Sequence, residues 1–336
     1  MKPRRFVPFG ASFLVLVAAC GGGPLTSPSP APGPLTFTSS PVDPAALQYI
    51  VPLGNMGPWA HTLPTDHIYF YHHLNTGPFV PLPVMAPASG TVDFIINRGA
   101  DSKFRVRVNG TYTYYFDHVT PAQGITVGAR VVAGSRVGDS AGIAFDFNVS
   151  STSIRLGFLN PARYGQETFQ TDAPLKYFQE PIRSALYAKV RRVGSDLDGR
   201  IDFDVAGTLS GNWFAEDLPV GDSMRGDDPS VGMRHLAFAR DAWFPERQRV
   251  SIGGLGMTGL YGVPVDAPDF TAITAASGMV VYRLLNLGEP GASPGSDQLG
   301  LIVVQLDAAG RLRVEAVNDR IGRTASFSGN ARTYVR

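Results

Sequence analysis

The chain has 336 residues, above the usual size of a single domain, so two compact units and a leader are expected. Apolar residues make up 44% and charged residues 17%, which argues against a wholly disordered chain and against a multi-span membrane protein. Twenty-nine Lys and Arg stand against 28 Asp and Glu, so no nucleic-acid partner is expected, and a single cysteine excludes an internal disulfide or a cysteine-rich zinc site.

Lys2, Arg4 and Arg5 precede an apolar run that ends at Ala19 and is too short to remain as a spanning helix, so residues 1–19 read as an export signal. Its end, Val17-Ala18-Ala19-Cys20, resembles the lipobox of bacterial lipoproteins. The resemblance implies that Cys20 is acylated after cleavage and anchors the chain to a bacterial membrane, in the periplasm or on the outer surface of the cell envelope. Several acyl chains would hold it firmly, at about 0.8 kcal/mol per buried CH2. Residues 20–46 are rich in Gly, Pro, Ser and Thr and read as a flexible tether that cannot bury enough apolar area to order itself.

Beyond the tether, short runs of Val, Ile, Phe and Tyr alternate with polar residues and are broken by Gly, Pro, Asn and Asp, an all-β signature. Strands are expected at 90–96, 104–108, 111–116, 201–205, 250–252, 279–284, 301–306 and 312–317. Asn109-Gly110 and Asp198-Gly199 signal hairpins of type I′, whose central residues both need positive φ. One helix is expected over 181–193, where Ile182, Leu186 and Val190 recur at four-residue spacing. A domain boundary is placed at 180/181. The Gly254-to-Gly259 run matches a dinucleotide fingerprint in letters, but Pro264 and Pro268 follow it where a helix is required, so it reads as a β turn. Asp196, Asp198, Asp202 and Asp204 offer oxygens to calcium without the grammar of a calcium loop. Gly211-Asn212-Trp213 resembles the Gly-x-Trp of the first strand of lipocalin-like barrels, and the second domain, residues 181–336, is expected to be an antiparallel β barrel or sandwich.

Three blocks carry a further resemblance. Pro83-Val84-Met85-Ala86-Pro87-Ala88-Ser89-Gly90-Thr91-Val92 is similar to the entry strand of the lysostaphin-type (LytM-like) zinc metallopeptidases. Tyr114-Tyr115-Phe116-Asp117-His118-Val119 is similar to their Y-x-H strand, with Phe116 in place of the Tyr, and residues 124–138 resemble their glycine-punctuated hairpin. The resemblance implies an antiparallel β domain over 47–180. In that family a His and an Asp of H-x-x-x-D and the second His of H-x-H bind zinc, while the first His of H-x-H and the Y-x-H histidine act as base and transition-state stabiliser.

Carried over residue by residue, the metal positions fall on His61 and Asp66, with His67 as the competing ligand, and on Asp146; the Y-x-H histidine is His118, the one catalytic candidate. His61 and Asp66 are one residue further apart than the pattern asks. Where H-x-H belongs the chain reads Ala144-Phe145-Asp146, so both family histidines are missing. Two carboxylates on zinc would leave its water less acidic, and Ala144 removes the imidazole that takes the proton. The expectation is therefore a degenerate, non-catalytic domain in an envelope lipoprotein that binds peptidoglycan or an envelope protein, with no cofactor. The alternative is a zinc-dependent peptidoglycan endopeptidase with an altered metal site. The histidines at 61, 67, 72 and 73 also fit a bland arrangement, imidazoles and tyrosines packed along a half-wet sheet.

Overall fold

The computed structural model describes residues 33–73, 77–222, 229–287, 295 and 297–336. The expected signal segment, Cys20 and residues 20–32 of the expected tether lie outside them. Alternation of apolar and polar residues produces two antiparallel β assemblies, so the all-β class is observed.

The first is a ten-stranded sheet made of β1 (Tyr49–Val51), β2 (Ile68–Tyr71), β3 (Pro83–Met85), β4 (Gly90–Arg98), β5 (Asp101–Arg107), β6 (Tyr112–Pro121), β7 (Arg130–Val131), β8 (Arg136–Ser140), β9 (Ala144–Ser151) and β10 (Thr171–Asp172). Its main path runs β1-β2-β9-β6-β5-β4-β7; β10 lies on β9, and β8 joins β3 to β6. Every second residue of the central strands turns into one core, among them Phe70, Phe104, Val106, Tyr114, Phe116, Phe145 and Phe147. The rings of Phe116 and Phe147 stack at 5.1 Å and those of Phe70 and Phe145 at 5.0 Å. The polar residues between them are left on the opposite face, which is where the candidate site forms. Gly90 and Gly138 of the family-like blocks are needed for close approach: a Cβ would lie 2.6 Å from the Arg107 carbonyl oxygen and 2.5 Å from that of Thr120, respectively.

The second assembly is a closed barrel of β11 (Gly211–Ala215), β12 (His235–Arg240), β13 (Gln248–Ile252), β14 (Gly259–Gly262), β15 (Val280–Leu285), β16 (Gln298–Leu306), β17 (Leu312–Val317) and β18 (Arg332–Val335). Consecutive strands pair antiparallel and β18 returns to β11, so the barrel alternative holds and the sandwich does not. Trp213, Phe238, Ile252, Tyr282, Ile302, Val314 and Tyr334 fill its core. The Arg336 guanidinium lies 4.2 Å over the Trp213 ring, and the indole N–H donates to the Leu209 carbonyl at 2.9 Å. Gly254 to Met257 lie in the turn from β13 to β14.

Several local expectations change. Leu35, Phe37 and Val42 belong to the core of the first sheet, and the Phe37 amide donates to the Tyr177 carbonyl at 2.8 Å, so residues 35–46 are part of the fold rather than tether. The expected long helix is Ile182–Tyr187 only. Leu186 and Ile201 belong to the same core, and Val190 and Gly199 form parallel bridges with Ile50 and Leu53, so the first assembly extends past residue 180 to about 201. Neither expected type I′ turn forms. Asn109 accepts the amides of Thr111 and Tyr112 with its side chain, an Asx turn with no positive φ, and Gly199, at φ +77°, packs against Leu53 instead of closing a hairpin. The calcium candidates Asp202 and Asp204 spend oxygens on the amides of Gly157, Leu159 and Asn212.

Candidate functional site

Strand register brings three of the sequence-selected residues, His67, Asp146 and His118, to one face of the sheet. On β9, Ala144 and Asp146 share the face opposite the core, and Asp146 pairs with Tyr69 of β2 on one side and Asp117 of β6 on the other. His67 stands just before β2. His118 sits where β6 is bulged: Ser102 pairs with Val119 and Phe104 with Phe116, so Asp117 and His118 together oppose Lys103. His118 has φ +58°, the one positive value among the described non-glycine residues, and this backbone turns its ring toward Asp101.

Asp146 is 2% exposed. Its Oδ2 lies 3.2 Å from Nε2 of His67 and 3.7 Å from Nε2 of His118, while Oδ1 has no hydrogen-bond partner. Both imidazoles are fixed from behind by other carboxylates: Nδ1 of His67 meets Asp66 at 2.9 Å and Nδ1 of His118 meets Asp101 at 2.9 Å. A carboxylate at Nδ1 that leaves Nε2 facing inward is the arrangement that orients metal-binding or proton-transferring histidines.

The electrostatics follow from burial and neighbours. Burial pushes the Asp146 carboxyl up to about 6, against the pull of the His67 and His118 charges. Burial alone would lower His67, but Asp146 and Asp66 raise it above the ordinary histidine value; for His118, Asp146, Asp101 and Asp117 do the same. Burial would raise Asp66 as well, yet the hydrogen bond and charge of His67, with Lys103 and Thr168, hold its carboxyl far below the usual range. Lys103 bonds Glu167 at 2.8 Å and lies 3.7 Å over the Tyr115 ring.

The expected ligand set of His61, Asp66 and Asp146 does not converge. Asp66 faces the far side of the His67 ring, where its carboxylate also accepts the Tyr115 hydroxyl at 2.8 Å and the Thr168 hydroxyl. His61 packs its ring 5.4 Å from that of His67 and 6.2 Å from that of Tyr69. The competing residue, His67, is the one that meets Asp146. Its buried Nε2 makes no hydrogen bond beyond its 3.2 Å ion pair with Asp146, so one nitrogen and one oxygen could serve a metal here, but among the described residues no third His or carboxylate ligand atom lies close to both. Among the described residues, the group whose ligand atoms all lie within 4.8 Å of one another is Asp101, Asp117 and His118.

Tyr115, Asp117 and Asp101 were missed in the sequence. Tyr115 and Asp117 alternate with buried Tyr114 and Phe116, so period-two reading of the Y-x-H strand would have placed both on the site face. Asp101 carries no local signal, since the tight β4–β5 hairpin alone brings it to His118. Of the other clustered histidines, His72 places Nε2 2.9 Å from the Gly142 carbonyl.

No family model matches the chain, and no curated protein matches it. Solved structures with similar segments include a zinc-containing peptidase from Vibrio cholerae (20% identity, 34% of this chain and 37% of that one, TM-score 0.28). Csd3 of Helicobacter pylori is similar at 15% identity over 43% of this chain and 35% of that one, with a TM-score of 0.30. A chain of the SpoIIQ–SpoIIIAH pore-forming complex is similar at 13% identity over 45% and 96%, with a TM-score of 0.32. The chain thus spans little more than a third of the length of the first two.

Proposed function

We propose that the chain is a lipid-anchored envelope protein whose lysostaphin-like sheet binds cell-wall material or an envelope protein without cleaving it. The observation that carries this reading is the outer face of β9, where Ala144 and Asp146 stand in place of two imidazoles. Without the first there is no base from that strand to take a proton from an attacking water. His67, between Asp66 and Asp146, has its positive form favoured by both carboxylates, which neutralises the pocket from within. The similarity of residues 83–138 to peptidase motifs supports a wall-related ligand, and the Cys20 lipobox supports anchoring at the envelope surface.

Purified full chain incubated with peptidoglycan sacculi is expected to sediment with them while releasing no new muropeptides by chromatography. Release of muropeptides that stops with a chelator would replace this reading with the zinc endopeptidase. That second reading is favoured by one feature: Nε2 of His67 stands 3.2 Å from the Asp146 carboxylate, whose Oδ1 has no hydrogen-bond partner. In it, those two atoms would hold zinc, which would supply an acidified water, and half-exposed His118 would stabilise developing charge.

A further inference from the structure

We propose that the place where β1 and β2 meet the hairpin between β12 and β13 binds a saccharide chain that carries a carboxylate. Its sugar rings stack on Tyr71, Tyr49 and Trp243, and its carboxylate pairs with Arg191. The proposal rests on the wall-binding reading above and names the part of the wall that is bound, a glycan strand freed of its stem peptides.

Four side chains from separate segments form one row. Strand register sets Tyr49 of β1 beside Tyr71 of β2, and Tyr71 beside Ala144 of β9. The Tyr49 and Tyr71 rings stack at 4.7 Å with 22° between their planes. Trp243 stands edge-on to Tyr49 at 5.9 Å. The Arg191 guanidinium lies 4.2 Å over the Tyr49 ring and 5.9 Å from that of Trp243. The three rings are half-buried and Arg191 is exposed, so each keeps a surface open to solvent.

The joint between sheet and barrel is made by other groups. The neighbouring Arg192 side chain is 7% exposed, donates to the Ala242 carbonyl at 2.7 Å and pairs with Asp196 at 3.2 Å. The Trp243 amide donates to Asp241 at 2.7 Å, and its carbonyl accepts from the Val193 amide at 2.8 Å. Arg191 differs from Arg192 in that no carboxylate among the described residues pairs with it.

Aromatic faces therefore hold this guanidinium while its N–H fork stays unspent, an arrangement that takes a carboxylate in bidentate fashion. Rigid amphipathic rings offer the C–H face of a sugar a broad contact at small entropic cost, and leave its hydroxyls in water. The row also has a direction. Its Ala144 end is two residues from Asp146 on the same face, whose negative charge repels an anion, so the carboxylate belongs at the Arg191 end. Hydrolysis of the amide that joins a stem peptide to its sugar leaves a lactyl carboxylate beside the ring, so that class of reaction must supply the ligand.

The test is calorimetric titration of the full chain with peptidoglycan strands stripped of stem peptides and, separately, with chitin oligosaccharides, which have similar rings and no carboxylate. The stripped strands are expected to bind more tightly. Trp243→Ala should weaken both ligands by about tenfold or more, whereas Arg191→Gln should weaken only the strands and bring them level with chitin. Circular dichroism and melting of each variant establish that the fold is retained, and Arg191→Gln alters an exposed side chain with no ion pair. Equal affinity for strands and chitin in the unaltered chain overturns the proposal, as does wild-type affinity for the strands in both variants. Displacement of bound strands by free stem peptide overturns it too. If sacculi sediment with the chain but stripped strands do not bind, this proposal falls and wall binding stands; if neither binds, both fall.

Discussion

Asp66 is the side chain most tightly integrated into the site. It accepts from Tyr115 and Thr168, meets His67 through Oδ1, and its main-chain carbonyl receives the Asn148 amide. The resemblance offers Asp66 as a metal ligand beside His61, whereas in the fold its carboxylate lies on the side of the His67 ring away from Asp146. Spacing fixes distance along the chain and says nothing about which side of a neighbouring ring a carboxylate will face. Removing one member of a buried pair costs about 3–5 kcal/mol, so Asp66→Asn should lower stability by a similar amount at neutral pH in urea denaturation. Its folded carboxyl titrates below the ordinary value of 3.8, so the stabilisation is complete above that value and is lost as pH falls through the folded range. The gap between wild type and Asp66→Asn should therefore narrow progressively below about pH 4, and a gap that stays constant down to pH 2 would contradict the ion-pair account.

At the scale of elements, the period-two pattern of β4, β5, β6 and β9 was legible because each has one apolar face and one polar face. The bulge in β6 was not. Nothing in Asp117-His118 announces a left-handed residue; it follows from β6 leaving β9 to pair its end with β8 while still paired to β5. The segment before β1 departs from its linker-like composition for a related reason. Its proline and serine content is that of a linker, but Phe37 is an isolated large ring with a ready-made slot, 4.8 Å from the Phe178 ring and 5.8 Å from that of Tyr114. Composition averages over a window and loses one well-placed anchor. Phe37→Ala should cost about 3–5 kcal/mol, read as a lower melting temperature, as expected of core and not of tether. A melting temperature unchanged within error would return residues 35–46 to the linker.

Across the whole molecule, the sheet and the barrel share apolar packing. Met56 and Leu63, from the loop that carries His61, lie in one cluster with Phe214, Leu218, Val231, Ala237 and Ala239 of the barrel half. The Thr62 hydroxyl donates to the Gly232 carbonyl at 2.9 Å, and Arg163 donates to that of Leu218 at 3.1 Å. Calorimetric unfolding of the full chain should accordingly give one transition whose calorimetric and van't Hoff enthalpies agree. Two resolved peaks would mean that the shared cluster is too weak to couple the halves. The barrel's closed topology is a whole-molecule property too: β11 and β18 are neighbours although more than a hundred residues separate them.

What the sequence by itself determined was the class of structure and which face of each strand is buried. Alternating hydrophobicity commits each strand to a burial pattern, and glycines at points of close approach leave few registers open. It also determined that β9 carries no imidazole, since none of residues 144–151 is a histidine in any fold. The tertiary structure decided which carboxylate meets which histidine. Asp146, His67, His118 and Asp101 come from four separate segments, and their meeting depends on strand pairing and one bulge rather than on any local spacing. Ligand sets are matters of a few ångströms and of direction, and only the packed chain fixes those.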